Sequence, residues 1–169
     1  MTTSLKTIVN VEIDATLTNV LDLVNATSPL DFKKQLRWLN GTAADTADLI
    51  FHDERTLTAS GTEDLDLAGS LSSAFGATLT FAELRLIVVY ASTGNTNNVV
   101  VSRPASNGVP LFSAASDAIP VPPGGMFLWS CPADGKIAVT AGTGDLITIT
   151  NSSSGTSVTY DVVIVGTSA

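Results

Sequence analysis

His52 and Glu54 are the residues of this chain whose types and spacing most suggest chemistry. They lie in the run FHDERT, and His52 is the one histidine of the sequence. On a strand their side chains would point to the same side, about 7 Å apart, so they could supply two metal ligands. The H-x-E spacing is also half of the signature of zinc deaminases.

The sequence lacks the other residues that a metal or nucleophile site would need. The deaminase signature requires P-C-x-x-C downstream, whereas Cys131 is the single cysteine and is followed by PAD. A zinc site would have no second histidine, and a serine nucleophile would have no G-x-S-x-G motif. We therefore expect no catalytic residue, no metal and no cofactor. His52 and Glu54 are interpreted as one face of a strand, and Asp53 and Arg55 as an ion pair on the other face.

Two further groups offer weaker binding chemistry. The run TEDLDLAG clusters Glu63, Asp64 and Asp66, but no D-x-D-x-D-G loop with a distal glutamate follows, so a solvated strand is favoured over a calcium site. Trp38 and Trp129 could stack on sugar rings. Trp38, beside Arg37, is the better candidate for glycan contact, and Trp129 in FLWS is expected in a core or a subunit interface.

The composition favours strands and restricts the class of partner. Only 14% of the residues are charged, well below the roughly 25% of an average globular protein, and Thr, Val, Ile and Gly are frequent. A net charge of −8 argues against nucleic acid and anionic membranes as partners, since both attract Lys and Arg. Residues 94–169 carry only six charged side chains, so this half either buries much of its surface against partners or is hydrated through Ser, Thr and Asn.

The pattern along the chain predicts an all-β fold. Apolar and polar residues alternate with period two in TIVNVEID, and Gly, Pro and Asn turns recur with no βαβ rhythm. LRLIVVY is apolar on both faces and is expected to be a central strand, whereas the prolines of IPVPPGG exclude one there. We predict an antiparallel β-sandwich, jelly-roll-like, as a single domain over residues 16–169. Residues 1–15 are predicted to form an extended N-terminal arm or first strand.

Three segments carry more specific predictions. Residues 16–40 fit a helix or a strand, and the alternation of Phe32, Leu36 and Trp38 favours the strand. The three apolar runs of residues 136–165 are separated by glycine turns and predict a meander of consecutive hairpins. The phase of the alternation slips in LTFAEL, so a β-bulge is expected near Ala82–Glu83.

A series of motifs from Trp38 onward carries a family resemblance. They are an N-G-T loop, an aromatic–x–D–x–R-T-L strand, the run E-D-L-D-L-A-G, a P-P-G-G turn and an A-G-T-G-D-L hairpin. Over roughly residues 38–166 the chain resembles small virion structural proteins of tailed bacteriophages. The resemblance implies a β-sandwich particle protein, typically homo-oligomeric, in which these residues carry no known chemistry.

These observations together predict a non-enzymatic protein of a tailed-phage virion, made in the host bacterial cytoplasm. We expect a capsid decoration or cement protein that binds the capsid lattice as a homo-oligomer, with a trimer as the expected copy number. Its partners would be further copies and the major capsid protein or other virion proteins, without nucleic acid or membrane. The alternative is a tail- or head-fibre component that contacts host glycans. The candidate contact residues are Val9, Val11, Trp38, His52, Glu54 and Trp129.

Overall fold

The chain is all-β in the computed structural model, which describes residues 4–131 and 136–169. Over these residues it forms eleven strands and no helix. In chain order the strands are β1 (Thr7–Asn19), β2 (Ala26–Trp38), β3 (Leu49–Leu57), β4 (Thr62–Asp66), β5 (Glu83–Ala91), β6 (Val99–Ser102), β7 (Ala118–Val121), β8 (Met126–Ser130), β9 (Ile137–Ala138), β10 (Leu146–Asn151) and β11 (Val158–Thr167).

Nine of these strands form two antiparallel sheets that share one core. The first sheet has the order β4–β10–β6–β7, and the second has the order β3–β11–β5–β8, with β9 also paired to β5. Alternate residues of both sheets point into the space between them and are buried there. The buried set includes Leu65, Val101, Ile147 and Ile149 from the first sheet and Phe51, Ile87, Val89 and Ile164 from the second. The predicted antiparallel β-sandwich is confirmed, and the jelly-roll connectivity stays a prediction.

Two local predictions about strand position are also confirmed. The apolar run of β5 lies between β11 and β8, in the interior of its sheet. The proline-containing strand β7 lies at the edge of the four-stranded sheet. An edge position suits Pro120, because a proline has no N–H to donate to a second neighbour.

The predicted meander over residues 136–165 is wrong. β9 pairs with β5, β10 pairs with β4 and β6 in the other sheet, and β11 returns to pair with β3 and β5. The glycine turns of this region do reverse the chain, but each turn also carries it across to the opposite sheet. Turn chemistry fixes where a strand ends and leaves open which sheet the next strand joins.

Gly166 lies where β11 passes so close to β5 that a side chain would clash. The register shifts between Val165 and Gly166, so that Arg85 is the extra residue on β5, two positions beyond the bulge predicted at Ala82–Glu83. A Cβ on residue 166 would lie 2.1 Å from the Glu83 carbonyl oxygen and 2.7 Å from Cδ1 of Phe81. We expect Gly166→Ala to lower the free energy of unfolding by about 3 kcal/mol, the upper part of the usual cost of overpacking.

Urea unfolding measures this effect, and Gly94 provides the control. A Cβ on Gly94 would meet nothing nearer than Oγ of Ser92, at 3.9 Å. Gly94→Ala should therefore change the free energy of unfolding by no more than about 0.5 kcal/mol. Equal effects of the two substitutions would show that the close approach at Gly166 has no energetic weight.

The remaining two strands form an arm. β1 and β2 pair over 13 residues, from Thr7 opposite Trp38 to Asn19 opposite Ala26, and they pair with no other strand of residues 4–131 and 136–169. At about 3.4 Å per residue the arm is some 44 Å long. The strand interpretation of residues 16–40 is confirmed for residues 16–19 in β1 and for residues 26–38 in β2. The arm thus includes residues 7–38, that is, most of the segment predicted as an arm and the first part of the segment assigned to the sandwich.

Candidate functional site

The arm is an amphipathic hairpin. The odd-numbered residues of β1 and the even-numbered residues of β2 share one face and are mainly apolar, and the residues of the other face are mainly polar. On the polar face the Gln35 side chain donates a hydrogen bond to Asn10 at 2.9 Å, and Lys33 pairs with Glu12 at 2.9 Å. We call the other side the apolar arm face. It is formed by Val9, Val11, Ile13, Ala15 and Leu17 of β1 and by Leu30, Phe32, Lys34, Leu36 and Trp38 of β2.

Among the described residues, only those at the base of the apolar arm face are covered by other parts of the chain. There it packs on the side of the five-stranded sheet that faces away from the core. Trp38 is the centre of this contact and is 0% exposed. This second buried cluster, the root cluster, contains Trp38, Ala47, Leu86 and Val165, with Leu5, Val9, Leu36, Ile50, Val88 and Val163 partly buried against it.

Beyond the root cluster the arm exposes its apolar side chains. Leu17 is 75% exposed and Phe32 is 41% exposed, and Leu23, in the connection between the strands, is 98% exposed. A two-stranded hairpin is at best marginally stable in water on its own. Contiguous exposed apolar surface of this kind marks a site of interaction. We call residues 13–32, which lie beyond the root cluster, the distal arm. It is the part of this structure that most requires a partner.

The five-stranded sheet presents a second partly apolar surface, which we call the outer face. It consists of two rows of side chains that cross the sheet beside the root cluster. One row is His52, Val163, Val88 and Leu128, and the other is Glu54, Asp161, Tyr90 and Met126. Met126 is 60% exposed and Leu128 is 38% exposed. This surface adjoins the base of the arm, since Val88 and Val163 also contact the root cluster.

Three charged groups on these two surfaces form no ion pair with the described residues. Glu54 lies directly opposite Asp161 on adjacent strands, an arrangement of like charges that is destabilising. No Lys or Arg of the described residues forms an ion pair with either carboxylate. Lys34 is the one charged residue of the apolar arm face and forms no ion pair within residues 4–131 and 136–169. It lies over the ring of Phe32, with Nζ 5.8 Å from the ring centroid.

The residues singled out from the sequence fall into three environments. His52 and Glu54 are exposed on the outer face, as the alternation in FHDERT predicts. Val9 and Val11 lie on the apolar arm face near its base and are half-buried. Trp38 is enclosed in the root cluster, where a sugar ring cannot stack on it. Trp129 faces the main core, against which it is partly buried.

Sequence reasoning missed Lys34 and Asp161. The signal for Lys34 was present, because its parity places a lysine between the apolar residues Phe32 and Leu36 of one strand face. Asp161 carried no such signal. It matters because it lies opposite Glu54, and the pairing of residues 107 positions apart depends on the tertiary fold.

The acidic run of β4 is used within the fold. Glu63 accepts a hydrogen bond from Tyr160, Asp64 accepts one from Thr148, and Asp66 accepts one from the backbone N–H of Ala68. In the described parts of the chain no three His, Cys, Asp or Glu side chains come together as a metal ion would require. Each of the three carboxylates thus accepts a hydrogen bond within the fold.

Glu63 is the centre of a polar cluster at the edge of the main core. Its carboxylate pairs with Arg55, which also binds Asp53 at 3.1 Å as predicted from the sequence. Burial of Arg55 alone would lower its pKa, but the hydrogen bond and the charge of Glu63 raise the pKa overall. Tyr160 is 0% exposed and its hydroxyl lies 2.6 Å from Glu63. Burial, followed by the hydrogen bond to Glu63 and its charge, raises the pKa of Tyr160 well above its ordinary value.

This raised pKa predicts a specific loss of stability in alkali. Above pH 10 the unfolded chain loses the Tyr160 proton while the folded chain keeps it. The free energy of unfolding then falls by about 1.4 kcal/mol per pH unit from this group. Tyr160→Phe has no such proton, so the stability advantage of the natural chain over the variant should shrink by about 1.4 kcal/mol between pH 9 and pH 11. Urea unfolding of both proteins at the two pH values measures the difference, and a constant difference would contradict the assignment.

Comparison with known proteins adds no relative. No protein-family model and no curated protein sequence matches this chain. No helix long and apolar enough to cross a membrane occurs in residues 4–131 and 136–169.

Proposed function

We propose that this chain is a non-enzymatic structural protein of a tailed-phage virion, a capsid decoration protein that binds the head as a homo-oligomer. The observation that carries the proposal is the arm, whose apolar residues project from the sandwich with no cover. A surface of this kind favours a protein that functions by joining other protein surfaces. Because the root cluster holds the base of the arm against the sandwich, each copy would present its arm to a neighbour in the same orientation.

Two further observations support the assignment to a phage particle. The motifs from Trp38 onward resemble those of small virion structural proteins of tailed phages. The charge is also uneven, since residues 39–169 carry twelve acidic and four basic side chains, whereas residues 4–38 carry four of each. An acidic body with a neutral, apolar arm suits a protein that remains soluble as it is synthesised and then uses the arm for assembly.

The role in the capsid is tested on phage particles that lack the protein. Heads assembled without the chain should lose infectivity and release DNA at a lower temperature than complete heads. When the salt concentration is lowered, they should do so at a higher remaining salt concentration than complete heads. Addition of the purified chain should restore the natural resistance. Equal resistance of heads with and without the chain would contradict the stabilising role.

A further inference from the structure

The apolar arm face and the outer face are complementary in charge as well as in polarity. The apolar arm face carries one cation, Lys34, among apolar side chains. The outer face carries two adjacent anions, Glu54 and Asp161, beside Val163 and Val88. Each surface thus presents a charge in an apolar setting, with opposite signs on the two. Charges placed in this way fix the register of two surfaces and discriminate against other partners.

We infer that the arm of one copy docks on the outer face of a second copy, with Lys34 between Glu54 and Asp161 of that copy. The inference rests on the proposed homo-oligomer and identifies the surfaces that form it. Docking would cover the exposed side chains of Ile13, Leu17, Leu30 and Phe32. It would also relieve the repulsion between the two opposed carboxylates, which no described residue of the same chain neutralises.

The dimensions of the arm suit an exchange between copies. The arm is about 44 Å long, and its side chains beyond the root cluster, such as Leu17 and Leu30, are exposed, so the outer face of the same copy does not cover them. Stable interfaces bury about 1,200 Å² or more in total. In a reciprocal dimer the two exchanged arms bury twice the area of a single docked arm, and in a closed ring each neighbouring pair shares one docked arm.

Charge reversal in the full-length chain tests this pairing. Sedimentation equilibrium of the natural chain should show association. Lys34→Glu should raise the dissociation constant roughly tenfold or more, because a carboxylate would then face two carboxylates. The double variant Glu54→Lys with Asp161→Lys should weaken association to a similar degree. A chain that combines all three substitutions should return to within about threefold of the natural constant.

Arg37 provides the matched control. It lies on the polar face of the arm, opposite Ile8, and forms no ion pair with the described residues. Arg37→Glu makes the same change in net charge and should leave the dissociation constant within about threefold of the natural value. An equal effect of Arg37→Glu and Lys34→Glu would overturn the inference, since only net charge would then matter.

Three other results would also overturn it. The first is a natural chain that stays monomeric at all accessible concentrations. A monomer that binds vesicles of phosphatidylethanolamine and phosphatidylglycerol would overturn the inference equally, because a lipid surface would then be the partner of the arm. The second is association that resists both charge reversals. The third is a combined variant that does not recover. In each case the proposed capsid function would still stand if heads without the chain lose their heat resistance, because the arm would then dock on another partner.

Discussion

Trp38→Ala should lower the free energy of unfolding by about 3–5 kcal/mol, the usual cost of truncating a fully buried tryptophan. Trp38 lies at the point where β2 meets the sandwich and is enclosed by Leu86, Val165 and Ala47. Its loss would leave a large cavity between the arm and the five-stranded sheet. Because the root cluster holds the arm to the body, we also expect the arm to detach. Urea unfolding measures the first effect, and limited proteolysis of residues 7–38 measures the second.

Leu17 provides the control for this substitution. It lies on the same apolar arm face but is 75% exposed, so Leu17→Ala should change the free energy of unfolding by no more than about 0.5 kcal/mol. Proteolysis of the arm should also be unchanged. If Trp38→Ala cost less than about 1 kcal/mol, the arm would be held to the body by something other than the root cluster.

Glu83→Ala should have an effect of similar size for an electrostatic reason. Arg85 is 2% exposed, and its guanidinium lies 2.7 Å from the carboxylate of Glu83. Removal of one partner from a buried ion pair typically costs about 3–5 kcal/mol, because the remaining buried charge loses one of the groups that stabilise it. The expected loss can be measured by urea unfolding at neutral pH.

Lys136 tests whether burial is the cause. It also pairs with Glu83, at 2.6 Å, but its side chain is 55% exposed. Exposed ion pairs contribute only about 0–1 kcal/mol, so Lys136→Ala should be nearly neutral. Comparable losses from Glu83→Ala and Lys136→Ala would mean that the buried position of Arg85 does not set the cost.

The fold class followed from local pattern, and the pairing of strands did not. Alternation in FHDERT assigned Phe51, Asp53 and Arg55 to one face and His52 and Glu54 to the other, because strand parity depends on neighbours alone. The run LRLIVVY was correctly placed inside a sheet for the same reason. The meander over residues 136–165 was wrong, because in a sandwich a turn can lead to either sheet. The choice depends on contacts distant in sequence.

The candidate site was only partly accessible from the sequence. Alternation correctly placed His52 and Glu54 on the outward side of a strand. It also placed Val9 and Val11 together on the apolar side of a strand, which is the apolar arm face. Trp38 was assigned to partner contact because a tryptophan beside Arg37 and Asn40 suggests exposure. Its burial depends on the arm folding back onto Leu86 and Val165, which no local pattern indicates. The opposition of Glu54 and Asp161 was inaccessible for a similar reason, since it requires the register of β3 and β11.

The central claim, that this chain is a structural component of a tailed-phage particle, is most directly tested by a cryo-EM reconstruction of particles of the phage that encodes it. We predict regularly spaced copies of the sandwich on the head surface, with the arm of each copy lying on the outer face of its neighbour. Purified infectious particles whose reconstruction and peptide mass spectrum both lack the chain would contradict the account.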